Sequence, residues 1–135
     1  MGYCIEQTES QFRLASEHHD AALRAIQGLV GSETISDTSG RHFSWVRSGF
    51  ERIDNLEEML KEWRWEPAYL DGDIVGLRFF GEKSGDDGAM LNAIAPFVDA
   101  GSYVQMQGED GAVWRWYFNG DTCEMQAGVV VFSRG

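Results

Sequence analysis

Apolar positions along this chain switch between a period of two and helical spacing, and the switches divide it into short elements. Residues 3–7 and 11–14 predict two short strands, with Phe12 and Leu14 on one face and Thr8-Glu9-Ser10 as the tight turn between them. Ser16 is a suitable N-cap for a helix over 16–30. Glu17 and Asp20 lie in its first turn, Ala22, Leu23, Ile26 and Leu29 form its stripe, and Gly31 is its stop. Residues 31–41 mix Ser, Thr, Gly and charge without a period and predict a surface loop, and 42–46 then alternate as a strand. Leu56, Met59, Leu60 and Trp63 predict a second helix over 54–63, with Asp54 and Glu57 at capping-box spacing.

The second half is richer in turn chemistry. Trp65 to Leu70, the turn Asp71-Gly72, and Ile74 to Phe80 read as a hairpin, with Pro67 marking the first strand as an edge. Met90, Leu91, Ile94, Phe97 and Val98 predict a helix over 86–98 that Pro96 should break near Ala95. Tyr103–Gln107, Ala112–Phe118 and Thr122–Phe132, separated by turns at 108–111 and 119–120, predict a three-stranded meander. The sum is an α+β chain: one domain over 1–135, with an antiparallel sheet of about six or seven strands and about three helices packed on one face. Helix followed by hairpin occurs twice, which hints at duplication.

Trp63-Arg64-Trp65 and Trp114-Arg115-Trp116 hold four of the five tryptophans. Read as strands, both Trp of each triplet share one face and the Arg takes the other. In the meander, Trp114, Trp116 and Phe118 then oppose Val113, Arg115 and Tyr117. A middle strand places Trp114 and Trp116 in the core, whereas Trp65, beside Pro67, is expected at an exposed edge as a binding anchor.

Charge narrows the function classes. The net charge is −11, spread as seven basic and twelve acidic residues over 1–67 and four and ten over 68–135. Such a field repels phosphate backbones and anionic membranes, and the basic groove that stacking sites for single strands need is missing. Direct nucleic-acid and membrane binding are therefore not expected. The charge either serves solubility or forms an acidic face for a basic partner. Cys4 and Cys123 make no disulfide framework, no apolar run reaches the ~20 residues of a membrane span, and the N-terminus lacks the features of a signal peptide. Glu6 stands where a myristoylation signal needs Ser or Thr, and the expected compartment is the cytoplasm.

Candidate chemistry is sparse. Neighbouring His18 and His19 diverge by roughly 100° on a helix, so no metal site is expected from them or from His42. Gly81 to Gly88 lacks the order of a phosphate loop, Asp71-Gly72-Asp73 lacks the twelve-residue calcium pattern, and neither a nucleophile motif nor a spaced carboxylate pair marks a catalytic centre. No cofactor is expected.

The segments KEWRWEP, GEKSGDDG, AIAPFVDAGSYV and GEDGAVWRWYFNG resemble a pattern in short bacterial and phage-type proteins of unassigned activity. The resemblance covers roughly 43–120, implies a microbial cytosolic origin and transfers no site. The expected function is an acidic protein-binding module, an inhibitor or immunity-type protein acting on a basic, nucleic-acid-handling partner. Its expected contacts are Arg64, Trp65, Asp71, Asp73, Glu109 and Asp110. The alternative is a small-molecule or enzymatic pocket lined by Trp45, Trp65, Trp114 or Trp116.

Overall fold

The computed structural model describes residues 3–31, 46 and 49–128. The expected loop beyond Gly31, the strand at 42–46 apart from Val46, and the end of the last strand lie outside the described residues. The α+β class holds, with three helices and six strands among the described residues.

Helix α1 (His19–Gln27) follows a 3-10 turn at Ser16–His18 and carries no side-chain cap. Ser16 does not cap it. The Ser16 N–H is instead taken by the Asp73 carboxylate at 2.8 Å, so the hairpin terminates the helix start from outside. In α2 (Leu56–Glu62) the cap is Asn55, whose Oδ1 accepts from Glu58 N at 2.8 Å. The expected Asp54–Glu57 pair is thus displaced by one residue; Asn and Asp cap equally well, and burial of Leu56, Met59 and Leu60 fixes the frame. Helix α3 (Asp87–Ile94) passes at Ala95 into a 3-10 turn, Ala95–Phe97, where Pro96 breaks the ladder as expected.

The strands are β1 (Ile5–Gln11), β2 (Trp65–Leu70), β3 (Asp73–Phe79), β4 (Tyr103–Gly108), β5 (Val113–Phe118) and β6 (Cys123–Ala127). The turn of the β2–β3 hairpin has positive φ at both Asp71 (52°) and Gly72 (88°), the type I′ form that matches strand twist. Thr8-Glu9-Ser10 is not a turn. It lies within one continuous strand, and Thr8 is an unpaired bulge between Gln7 and Glu9.

The expected single sheet is split into two antiparallel sheets, one of order β1-β4-β5-β6 and one of β2-β3. Two bulges explain the split. Thr8 is extra in β1, and Val75 is extra in β3, between the pairs Ala68–Gly76 and Tyr69–Ile74. A bulge bends its strand and raises its twist, so the two facing edges part in the middle. They meet at both ends through backbone bonds: Ile5 N to Glu82 O and Ser84 N to Tyr3 O at one, Leu14 N to Ile74 O at the other (2.9, 2.7 and 2.8 Å). Between them the Gln7 amide replaces a peptide group, donating to Leu77 O (3.0 Å) and accepting from Phe79 N (2.7 Å).

The first Trp-Arg-Trp is not a strand segment. Trp63 ends α2, Arg64 adopts φ 74°, and Trp65 opens β2. That left-handed residue costs about 1 kcal/mol or more and reverses the chain so that both indoles enter the core, Trp63 at 1% and Trp65 at 0% exposure. Trp65 is therefore not an exposed anchor. Trp114 and Trp116 pack against the core as expected, but only half-buried. They lie on the inner face of β5, where α3 covers Trp116 closely enough that a Cβ on Gly88 would come 3.1 Å from its ring. Their neighbour Met125, opposite Trp116, stays 61% exposed.

Candidate interaction surface

The six expected contact residues do not form one site. Arg64 is largely enclosed: its Nη1 donates to Lys83 O (2.6 Å), its Nη2 reaches Asp87 Oδ1 (3.4 Å), and its guanidinium lies 5.1 Å from the Phe79 ring centroid. The Trp65 indole N–H donates to the same Asp87 oxygen at 3.1 Å. Burial pushes the Asp87 carboxyl above its ordinary range, opposed by the Arg64 charge, and burial likewise lowers the Arg64 pKa. The arrangement is a latch between α2, β2 and α3. Asp71 occupies the hairpin turn, and Asp73 binds Ser16 N and Arg13 (2.8 Å each), with Arg13 also on Asp99 (2.9 Å).

Glu109 accepts from Cys4 N at 2.7 Å, and Asp110 accepts from the Tyr3 hydroxyl and from Ala112 N. Glu109 and Asp110 thus sit by the start of β1, while Asp71 and Asp73 sit beyond its end. Six strand steps, about 20 Å, separate the two groups. Most of these acids serve the fold.

A different surface gathers the chemistry that recognition uses. Residues directly opposite in antiparallel pairs share a face, so the register assembles the outer face of the four-stranded sheet row by row. One row is Glu6, Gln107 and Val113; the next is Glu9, Gln105, Arg115 and Gln126; the third is Gln11, Tyr103, Tyr117 and Glu124. None of these residues belongs to the buried cluster that the helices complete with Val104, Met106, Phe118 and Cys123.

The centre of this face is held in place by its own contacts. The Arg115 guanidinium lies 3.8 Å over the Tyr103 ring and donates to Gln105 Oε1 at 2.7 Å. Gln105 Nε2 in turn donates to Thr8 Oγ1 at 3.3 Å, so the bulge that splits the sheet also supports the face. The Tyr103 hydroxyl donates to the Glu9 carboxylate, which raises the Tyr103 pKa, and Asn119 Nδ2 donates to Glu124 at 2.8 Å. A cleft of about 240 Å³ opens beside Arg115, lined by Gln105, Val113, Gln126 and Gly128 among others. Carboxylates of Glu6 and Glu9 flank the centre on β1, and Glu124 flanks it on β6.

The meander part of this face was legible, since Val113, Arg115 and Tyr117 alternate with the tryptophans. The contribution of β1 was not, because its pairing with β4 spans about a hundred residues and passes through a bulge. Nothing local in the sequence encodes it.

Among the described residues no group of three or more His, Cys, Asp or Glu could hold a metal. His19 Nε2 lies 3.1 Å from Leu14 O, His18 packs by Phe97, and His42 is outside the described residues. Burial pushes the Cys123 thiol up to about 12. Trp65 is enclosed, and Trp114 borders the 240 Å³ cleft. No described helix is long and apolar enough to cross a membrane. No family model, curated protein or solved structure matches this chain.

Proposed function

We propose that this chain is a protein-binding module that docks, through the outer face of its four-stranded sheet, on a partner with a basic surface. The observation that carries the reading is the pattern of that face: a centre of Tyr103, Tyr117 and Arg115 with carboxylates on both flanks. Tyr and Arg are enriched among interface hot spots, where they bring large contact area and directional donors. Flanking carboxylates speed encounter with a cationic surface and reject anionic competitors. The fixed stack of Arg115 on Tyr103 lowers the ordering cost of docking.

A surface that binds nucleic acid has the matching charge, so the partner we favour is a cytoplasmic nucleic-acid-handling protein, which docking would inhibit by covering its basic face. The test is capture from the native host lysate at low and high salt, followed by affinity measurement on the purified pair. Wild-type protein should hold the partner at low salt and release it at high salt. The combined Glu6→Gln, Glu9→Gln and Glu124→Gln variant should hold it at least about tenfold more weakly. Equal affinity of the triple variant, or partners indifferent to salt, would refute the reading.

A further inference from the structure

Half of the basic side chains among the described residues are held in ion pairs, and Arg115, at the centre of the outer face, is not one of them. Arg13, Lys61, Arg64 and Arg78 each pair with a carboxylate. Arg115 pairs with no carboxylate among the described residues. The nearest carboxylates of its face are held elsewhere, Glu9 by the Tyr103 hydroxyl and Glu124 by Asn119. A guanidinium offers five N–H donors, and Arg115 directs one nitrogen to Gln105. Its position is fixed by the Tyr103 ring, and the cleft beside it is bordered by the Gln126 side chain, exposed and next in register. At about 240 Å³ the cleft has room for one short side chain and water.

We infer that this cleft takes a carboxylate side chain presented by the docking partner, so that the partner carries an acidic group inside a basic surround. A planar fork matches a carboxylate in two parallel hydrogen bonds, and the Gln126 amide can supply a further donor. The flanking Glu6, Glu9 and Glu124 favour a singly charged carboxylate over a doubly charged phosphate, since each added negative charge meets three like charges. The inference rests on the docking role proposed above and adds the chemistry at its centre.

The test uses three cyclic β-hairpin peptides that present two lysines on one face, with Glu, Gln or phosphoserine between them. Affinities are read by titration of isotope-labelled full-length protein at about 0.1 M salt. The Glu-centred peptide should bind wild type about fivefold more tightly than the Gln-centred one, the scale of one charge-assisted pair. Arg115→Gln should abolish that ratio, the Glu- and Gln-centred peptides then binding it equally whatever their common affinity, and Arg115→Lys, which keeps the charge and loses the fork, should lose most of it. Unchanged amide spectra away from β4–β6 establish that the variants are folded. Equal binding of the Glu and Gln peptides, a ratio that survives in Arg115→Gln, no saturable binding, or tighter binding of phosphoserine would each overturn the inference. Loss of affinity for the Glu- and Gln-centred peptides alike in Glu6→Gln and Glu124→Gln reports the docking role separately, so the two ideas fail by different results.

Discussion

Trp65→Phe tests whether the latch at the α2–β2 corner is as central as its burial implies. The change keeps an aromatic ring and removes two features, ring volume and the indole N–H bonded to Asp87. A ring smaller by roughly 40 Å³, at ~24 cal/mol per Å³ of unfilled cavity, costs about 1 kcal/mol. Withdrawing a donor from a buried carboxylate adds about 1–3 kcal/mol, because Asp87 is 4% exposed and cannot turn to water. The sum is about 2–4 kcal/mol, a large part of the ~5–15 kcal/mol that holds a domain. Trp116→Phe on the half-buried inner face should cost about 1 kcal/mol or less. Urea and thermal melts of both proteins separate the cases, and the Trp65 variant should melt roughly 8–15 °C lower. A cycle with Asp87→Asn should show coupling of about 1 kcal/mol or more. Equal melts for the two variants, or additive effects in the cycle, would refute the assignment of Trp65 and Asp87 to one latch.

Asp73 and Asp87 should shape acid stability in opposite directions. Asp73 is held below the ordinary 3.8, chiefly by the Ser16 N–H, so its contribution is present above that value and lost as pH falls through its lower folded pKa. Asp87 is raised by burial, so its contribution is full below 3.8 and lost as pH rises through its higher folded pKa. Stability against pH for Asp73→Asn should be flatter on the acid side of 3.8, and a curve identical to wild type would contradict the cap. Gly108→Ala should displace Tyr3, whose phenol a Cβ would strike, and bring one raised tyrosine titration back toward 10.0 by ultraviolet absorbance. Gln7→Ala should accelerate hydrogen exchange at the Phe79 amide while leaving Ile74 and Leu14 protected, and unchanged exchange at Phe79 would show that the amide does not hold the junction.

Local chemistry made the hairpin, the meander and the Pro96 break legible. Asp71-Gly72 supplies two positive φ values, and Pro96 has no N–H to donate. What escaped the sequence depends on contacts between distant residues. Thr8-Glu9-Ser10 has turn composition, yet pairing with β4 holds it extended, and the polar residues merely mark a bulge. Proline beside Trp65 signalled an edge correctly, because β2 is one, but an edge strand can still turn one face into the core. The acids at 71, 73, 109 and 110 drew notice by clustering at turns, and turns are where carboxylates satisfy stray N–H groups. Arg115 was visible in sequence as the odd residue of its triplet; its stacking on Tyr103 and its place between flanking acids needed the register of four strands.

The position of β1 also sets the order in which the chain can fold. Its partner residues in β4 lie up to 103 positions away, from Ile5 to Gly108, whereas β2–β3 and β4–β5–β6 are joined by turns of a few residues. Closing so long a loop is entropically slow, so the hairpin and the meander form early and the N-terminal strand docks late between them. During synthesis β1 emerges well before both neighbours, waiting until residue 79 for the hairpin and until residue 108 for β4. Glu6 and Glu9, on the face that stays outside, keep that waiting segment charged and discourage its pairing with other nascent chains. The outer face is completed only by that final docking, so the partner proposed for it would meet finished molecules alone.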